Sequence, residues 1–227
     1  MGAYNSHYRF SDKKIKYPNG DYYIGPTNEN KPYLYGTMVL ANGDKFRGFF
    51  LNGKCNGNGI FYSANGDELH GRWIDNKLCG PVIEYKINGD RLECKIENGY
   101  FKDQCNWFFH NGDRFEGFFN GNSVHGHCKW FYKDSSRYEG ECMQCLPHGL
   151  GKFYYVNGDI FEGTFENGKM ADGFGVKKHA SGEVYMGLFS DGLKHGIGTY
   201  SNPKGDVVLG EWHQDRMIKL IQKVNWL

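Results

Sequence analysis

NGDKFRGFF, residues 42–50, returns almost unchanged as NGDRFEGFF at 111–119, and in weaker form as NGDELHGRW at 65–73 and NGDIFEGTF at 157–165. A phrase that recurs at a fixed interval marks a repeat architecture. Its glycine falls at Gly20, Gly43, Gly66, Gly89 and Gly112; Ser135 takes the next slot, and Gly158, Gly182 and Gly205 follow. Each step is 23 residues except the 24 between Gly158 and Gly182, where GKMADG (168–173) replaces the shorter GKCNG of 53–57. Nine turns in register span nearly all of the 227-residue chain.

The first strand of each unit reads aromatic-x-Gly-x-aromatic: Phe46-Gly48-Phe50, Leu69-Gly71-Trp73, Phe115-Gly117-Phe119, Phe161-Gly163-Phe165 and Tyr185-Gly187-Phe189. Side chains alternate along a strand, so these three residues share one face. The residues between them, such as Lys45 and Arg47, are mostly polar and take the other face. The central glycine leaves a gap between two rings that a neighbouring side chain can fill. A loop such as ENGK (166–169) and a G-x-G, as in Gly149/Gly151 or Gly173/Gly175, lead to a second strand such as Lys152-Phe153-Tyr154-Tyr155. That strand ends in Asn-Gly, which predicts a type I′ turn with positive φ at both central residues. Composition agrees. The 33 glycines disfavour helix, and 16 Tyr, 17 Phe and 5 Trp favour strands. The predicted fold class is all-β.

The net charge of +1 lacks the basic excess of a nucleic-acid binder. No apolar run reaches the roughly 18 residues of a membrane helix, and the N-terminus lacks the apolar core of a secretory signal. Seven scattered cysteines then read as reduced cytoplasmic thiols. Cys142-x-x-Cys145-x-x-His148 has the look of half a metal site, but a structural zinc needs four ligands and the partner set is missing. Cys142 occupies the second aromatic slot, so slot substitution is the reading preferred, and no metal is expected. Cys105 and Cys128 share one slot a repeat apart, about 10 Å against a disulfide limit near 7 Å, and are expected to be free thiols. His125, His148 and His195 also share a slot and read as loop-holding hydrogen-bond groups. Asp44, Asp67, Asp90, Asp113 and Asp159 follow the turns and are expected to bond to turn backbone. Every glycine cluster belongs to a hairpin, and no nucleophile-base constellation stands outside the register. The expectation is a non-enzymatic protein with no catalytic residue and no cofactor.

The pattern, as in FEGTFENGKMADGFG (161–175) and YMGLFSDGLKHGIG (185–198), resembles the MORN repeat. The resemblance covers roughly residues 17–213. It implies an elongated, single-layer, twisted antiparallel sheet of about nine consecutive β-hairpins, without enzymatic activity of its own. At about 10 Å per repeat such an array would reach on the order of 85 Å. It also implies a cytoplasmic role in cytoskeletal, ciliary or cortical assemblies, lipid binding in some relatives, and attachment to a separate enzyme in others. Two units depart from the pattern. LECKIENGYFKDQCNWFFH (92–110) has Cys94 for the strand glycine and Asp103 and Cys105 for the G-x-G, and YIGPTNENKPYLYG (23–36) has Thr27 for the second aromatic.

Two segments lie outside the 17–213 array. At 214–227, Met217, Leu220, Ile221 and Val224 recur at helical spacing, predicting a short amphipathic helix that caps the array or meets a partner or membrane. The extension 1–16 opens with Met1-Gly2-Ala3-Tyr4-Asn5-Ser6, a pattern for N-myristoylation at Gly2. The function expected is a scaffold that takes a helix or extended peptide along an aromatic groove. The residues assigned to that groove are Phe46, Phe50, Leu69, Trp73, Trp107, Phe115, Phe119, Trp130, Tyr138, Phe153, Phe161, Phe165, Tyr185 and Phe189, some of which must hold the sheet together. The alternatives are a phospholipid-binding membrane tether, against which the near-neutral charge stands, a regulatory subunit of a separate enzyme, and a homodimer.

Overall fold

The computed structural model describes residues 12–120 and 123–224; Gly2 and its lipidation pattern lie outside them. No helix occurs among the described residues, and the chain divides into two compact units at Asp103/Gln104, inside the most degenerate repeat.

In the first unit, eight strands pair antiparallel with their neighbours in chain order: Lys13–Lys16, Tyr22–Gly25, Leu34–Val39, Lys45–Leu51, Lys54–Tyr62, Glu68–Ile74, Lys77–Tyr85 and Arg91–Glu97. A two-stranded ribbon, Thr27–Asn28 with Lys31–Pro32, is inserted after the second of them. The second unit is by itself a meander of the same kind. From Gln104 onward, Tyr100–Phe108 pairs with Arg114–Asn120, followed by Ser123–Phe131, Arg137–Met143, Leu146–Tyr154, Ile160–Glu166, Lys169–Lys178, Val184–Ser190, Leu193–Ser201, Val207–His213 and Arg216–Val224.

The segment predicted as a helix is therefore a strand. Gln214 and Asp215 both have positive φ (47° and 66°) and reverse the chain. The Asp215 carboxylate accepts the Lys194 amide at 2.8 Å, and Arg216–Val224 then pairs with Val207–His213. An exposed sheet edge and the β-branched Ile218, Ile221 and Val224 outweigh a helical spacing of apolar residues. At the other end, Lys13–Lys16 is already a strand of the sheet, so pairing begins before residue 17.

The turns differ from expectation in an instructive way. Type I′ geometry sits in middle loops, at Asn52-Gly53 (φ 51° and 85°), Asn167-Gly168 (49° and 84°) and Gln144-Cys145 (52° and 63°). The NGD turn is a three-residue loop instead. Gly43 donates to the Leu40 carbonyl, Leu40 donates to that of Asp44, and only Gly43 is left-handed, at φ 95°. This is a type I turn closed by a bulge, and the single left-handed slot is what glycine serves.

Each NGD aspartate does more than hold its own turn. Its Oδ2 accepts from the turn asparagine side chain, as in Asn42 to Asp44 at 2.8 Å, while its Oδ1 accepts a backbone amide of the next turn: Ala41 to Asp21, Ala64 to Asp44, Ile87 to Asp67, Lys133 to Asp113 and Ala180 to Asp159, all at 2.8–3.0 Å. The asparagine carbonyl Oδ1 in turn receives the aspartate amide, as in Asp44 to Asn42 at 3.0 Å. The turns are thus stapled to one another along the array. The Ile87 amide, and then Lys86, hold the Asp67 carboxyl below its ordinary 3.8. A carboxyl depressed in the folded state adds stability above its unfolded pKa and loses it as pH falls through the folded one. The Ile87 amide should accordingly lose hydrogen-exchange protection below about pH 4, and Asp67→Ala should remove that protection at neutral pH. An Ile87 protection factor indifferent to both would contradict the staple.

The core follows one rule. The first ring of a repeat packs edge-on against the second ring of the next: Tyr23 on Phe50 at 5.0 Å and Phe46 on Trp73 at 4.9 Å in the first unit, and Tyr138 on Phe165 at 4.8 Å, Phe161 on Phe189 at 5.1 Å and Tyr185 on Trp212 at 5.2 Å in the second. Such pairs contribute about 0.5–1.5 kcal/mol each beyond area burial. The glycines make the seam possible. A Cβ at Gly151 would enter the Tyr138 ring, and one at Gly163 would come within 2.6 Å of the Phe161 ring. The Tyr138 hydroxyl passes through this gap and donates to the Glu141 carbonyl at 2.7 Å, beside the register shift at Gly140/Cys142.

Candidate partner-binding surface

The structure sorts the predicted groove residues into two groups. Phe46, Phe50, Trp73, Phe115, Tyr138, Phe161, Phe165, Tyr185 and Phe189 are all buried. Their ring surfaces are used up by one another, because each repeat's rings fill the glycine gaps and cover the rings of the next. Burial and, for Tyr138, the neighbouring Glu141 push both the Tyr138 and Tyr185 hydroxyls up to about 12, as befits groups sealed from water. Leu69, Phe119, Trp107, Trp130 and Phe153 are half-buried. Three of these belong to a ladder of six rings in the second unit. It runs Trp107, Phe109, Trp130, Tyr132, Phe153, Tyr155, with successive centroids 4.7–5.9 Å apart. The Trp130 indole N–H is fixed by the Cys145 carbonyl at 2.8 Å.

The opposite face of the second unit carries what the sequence reading assigned to solvent. Phe118 is 53% exposed, Leu150 65% and Phe174 62%, and all three line a single open cavity of about 760 Å³. Register places them there. Gly117 and Phe119 turn inward with Cys128 and Val124 opposite them, so Phe118 points outward. Leu150 stands opposite Thr164 and Phe174 opposite Leu188, on the same outer side. Beyond the cavity the apolar surface continues through Met186, Leu188 and Ile197, each more than 40% exposed.

Beside these side chains runs a row of alternating charge. Glu116, Lys129, Glu139, Lys152 and Glu162 face one another across successive strands. Arg114 pairs with Glu116 at 3.0 Å, Arg137 with Glu139 at 3.2 Å and Lys152 with Glu162 at 3.1 Å. Exposed pairs of this kind add little stability, typically below about 1 kcal/mol. They do give one wall of the cavity a fixed polar pattern beside an apolar floor.

The sequence held a signal for this surface. The position between Gly and the second aromatic holds Phe118, as well as Phe49 and Leu188, where other repeats have Arg72, Glu141 or Thr164. The middle of the G-x-G holds Leu150, Phe174 and Ile197 where earlier repeats have Asn58, Gln104 and His127. These slots face outward, so an apolar residue there is a departure without a core to explain it.

Comparison with known proteins follows the same repeats. The MORN repeat family model matches residues 46–68, 138–160, 161–184 and 185–207. The chain contains MORN repeats. A search of characterised proteins by sequence gives no significant match. Among solved structures, the TCP10 domain of Danio rerio CPAP superposes with a TM-score of 0.56 at 15% identity, covering 94% of this chain and all of that one. A CPAP G-box domain, described with a suggested role in centriole elongation, gives 0.48 at 14% identity over 88% of this chain and 93% of its own. The TCP domain of Drosophila melanogaster SAS-4, solved with a proline-rich motif of Ana2, gives 0.47 at 12% identity over 83% and 96%. At these identities the likeness is one of fold.

MORN register also accounts for the chemistry-bearing residues. Phe115 precedes the repeat whose second aromatic slot holds Cys142, so its expected ring partner is replaced by a thiol. Cys142 lies diagonally across from Cys128, with Cα atoms 5.8 Å apart, and the two form a disulfide. The expectation that Cys128 is a free thiol is corrected: the bridge joins strands within one hairpin pair rather than equivalent slots of successive repeats. Cys105 is a buried thiol and Cys145 a half-buried one. Among the described residues no cluster of three or more His, Cys, Asp or Glu side chains is arranged to hold a metal ion. His148 is half-buried, and His195 packs against His213 with ring centroids 5.2 Å apart. Met217, Leu220 and Ile221, assigned to a capping helix, are exposed along the last described strand, and the backbone of Val224 belongs to that strand. No helix among the described residues is long and apolar enough to cross a membrane.

Proposed function

We propose that this MORN-repeat chain is a non-catalytic scaffold whose second unit binds a protein partner on the face opposite the buried ring seam. One observation carries the reading. Phe118, Leu150 and Phe174, each more than half exposed, converge on one concave surface on the side opposite a seam of buried rings. Large exposed apolar patches on a folded domain mark interaction sites, and a rim of fixed charges sets the register of what lands there. The partner is a helix or extended segment presenting apolar side chains to this floor. The cytoskeletal setting that the MORN resemblance implies is part of the proposal. A second contact surface is favoured by the half-buried ring ladder from Trp107 to Tyr155, since stacked Trp and Tyr rings are what binding hot spots are made of.

Replacing both Phe118 and Phe174 by alanine should leave thermal unfolding within a few degrees of the parent, because neither side chain is part of the core. The same variant, tagged and purified from the native cell, should lose partners that the parent retains. A double variant that keeps every partner would rule the outer face out and leave the ring ladder as the surface to test.

A further inference from the structure

The last described strand ends the second unit with an edge built like a docking site. In each earlier hairpin of this unit, the second strand offers its far edge to the next strand in unbroken register. His125–Phe131 does so to Arg137–Met143, Gly149–Tyr154 to Ile160–Phe165, Gly173–Lys178 to Val184–Phe189, and Gly196–Ser201 to Val207–Trp212. The bulges of those second strands all lie on the near edge, toward their own hairpin partner, and do not disturb the far one. Twenty-three residues after Gly196–Ser201 comes 219–224. This segment is extended, pairs on its near edge with Val207–His213 across two bulges, and has no strand on its far edge among the described residues. Ile218, Leu220 and Ile221 are 62%, 54% and 47% exposed.

Charge decides what fits there. Residues 216–224 carry Arg216, Lys219 and Lys223 and no acid, and among the described residues none of the three cations is in an ion pair. A second copy of this strand would set cations against cations. The first described strand, Lys13–Lys16, has three lysines in four residues and would do the same. Like charges opposite one another destabilise a strand pair, and lysines on an edge are a common device against self-pairing. Within the array the rule is the reverse, with Lys152 opposite Glu162 and Lys129 opposite Glu139. We infer that the far edge of Arg216–Val224 accepts an extended, antiparallel segment of another protein in which acidic residues alternate with apolar ones. Main-chain hydrogen bonds supply the affinity and the lysines select the sequence.

The probe is a capped heptapeptide with the sequence of the chain's own strand Ile160–Glu166, IFEGTFE. A second peptide carries lysine in place of both glutamates. Titrated into the full chain, the acidic peptide should bind and slow amide exchange within 219–224, while the basic one should not. Lys219→Glu combined with Lys223→Glu should weaken the acidic peptide about fivefold, from two opposite-charge cross-strand pairs, and reverse the preference. The Phe118→Ala, Phe174→Ala variant should bind the acidic peptide as the parent does, which separates this edge from the outer cavity. Protection that appears elsewhere, or equally with both peptides, overturns the proposal. So does protection of 219–224 that grows with protein concentration alone, because the occupant would then be a second copy.

Discussion

Tyr138→Ala is expected to destabilise the second unit by about 3–5 kcal/mol, the range for removing a fully buried aromatic side chain. Tyr138 has no exposed surface, packs on Phe165 at 4.8 Å and satisfies the Glu141 carbonyl through its hydroxyl. Its removal leaves the glycine gap at Gly140 and Gly151 open and a carbonyl without its donor. Repeat arrays are held mainly by contacts between neighbours, so the damage should be local. Amide exchange should accelerate across Arg137–Tyr154 and Ile160–Glu166 while the strands of the first unit keep their protection. Denaturant unfolding with exchange detection reads both quantities. A loss under about 1 kcal/mol, the middle of the distribution for arbitrary substitutions, would mean that the ring is not structural.

Gly151→Val tests the same gap from the other side. The valine Cβ would occupy the space of the Tyr138 ring, which is fixed at its far end by a hydrogen bond and cannot swing away. Overpacking of this kind costs about 1–3 kcal/mol, and the upper end is expected here. The decisive comparison is the double variant. With Tyr138 cut back to alanine, the valine enters vacated space, so the two effects should fall short of their sum by about 1–3 kcal/mol. Additive effects would show that glycine and ring do not share one volume.

Much of this fold was legible because its physics is local and repeated. The spacing of Gly43, Gly66 and Gly89 and the alternation around Phe46-Gly48-Phe50 determine strands, turns and the face that packs inward. Three things were not legible. Helical spacing at Met217, Leu220, Ile221 and Val224 says nothing about a waiting sheet edge, and the edge won. The assignment of type I′ geometry to NGD missed that the middle loop, at Asn52-Gly53, already takes that role, which leaves the NGD glycine a single left-handed position. Most consequentially, alternation reports which residues share a face but not whether that face is open. The rings of Phe161, Phe165, Tyr185 and Phe189 close over one another through glycine gaps, and openness passes to the outward slots, where Phe118, Leu150 and Phe174 stand out only against the polar residues of other repeats.

Site-specific photocrosslinking in the native cell tests directly which face of the second unit meets a partner. A benzophenone side chain placed at Leu150, on the outer face, should give adducts with another polypeptide, and one at Trp130, on the ring face, should give fewer. Adducts from Trp130 with none from Leu150 would contradict the central claim and return the binding surface to the ring ladder.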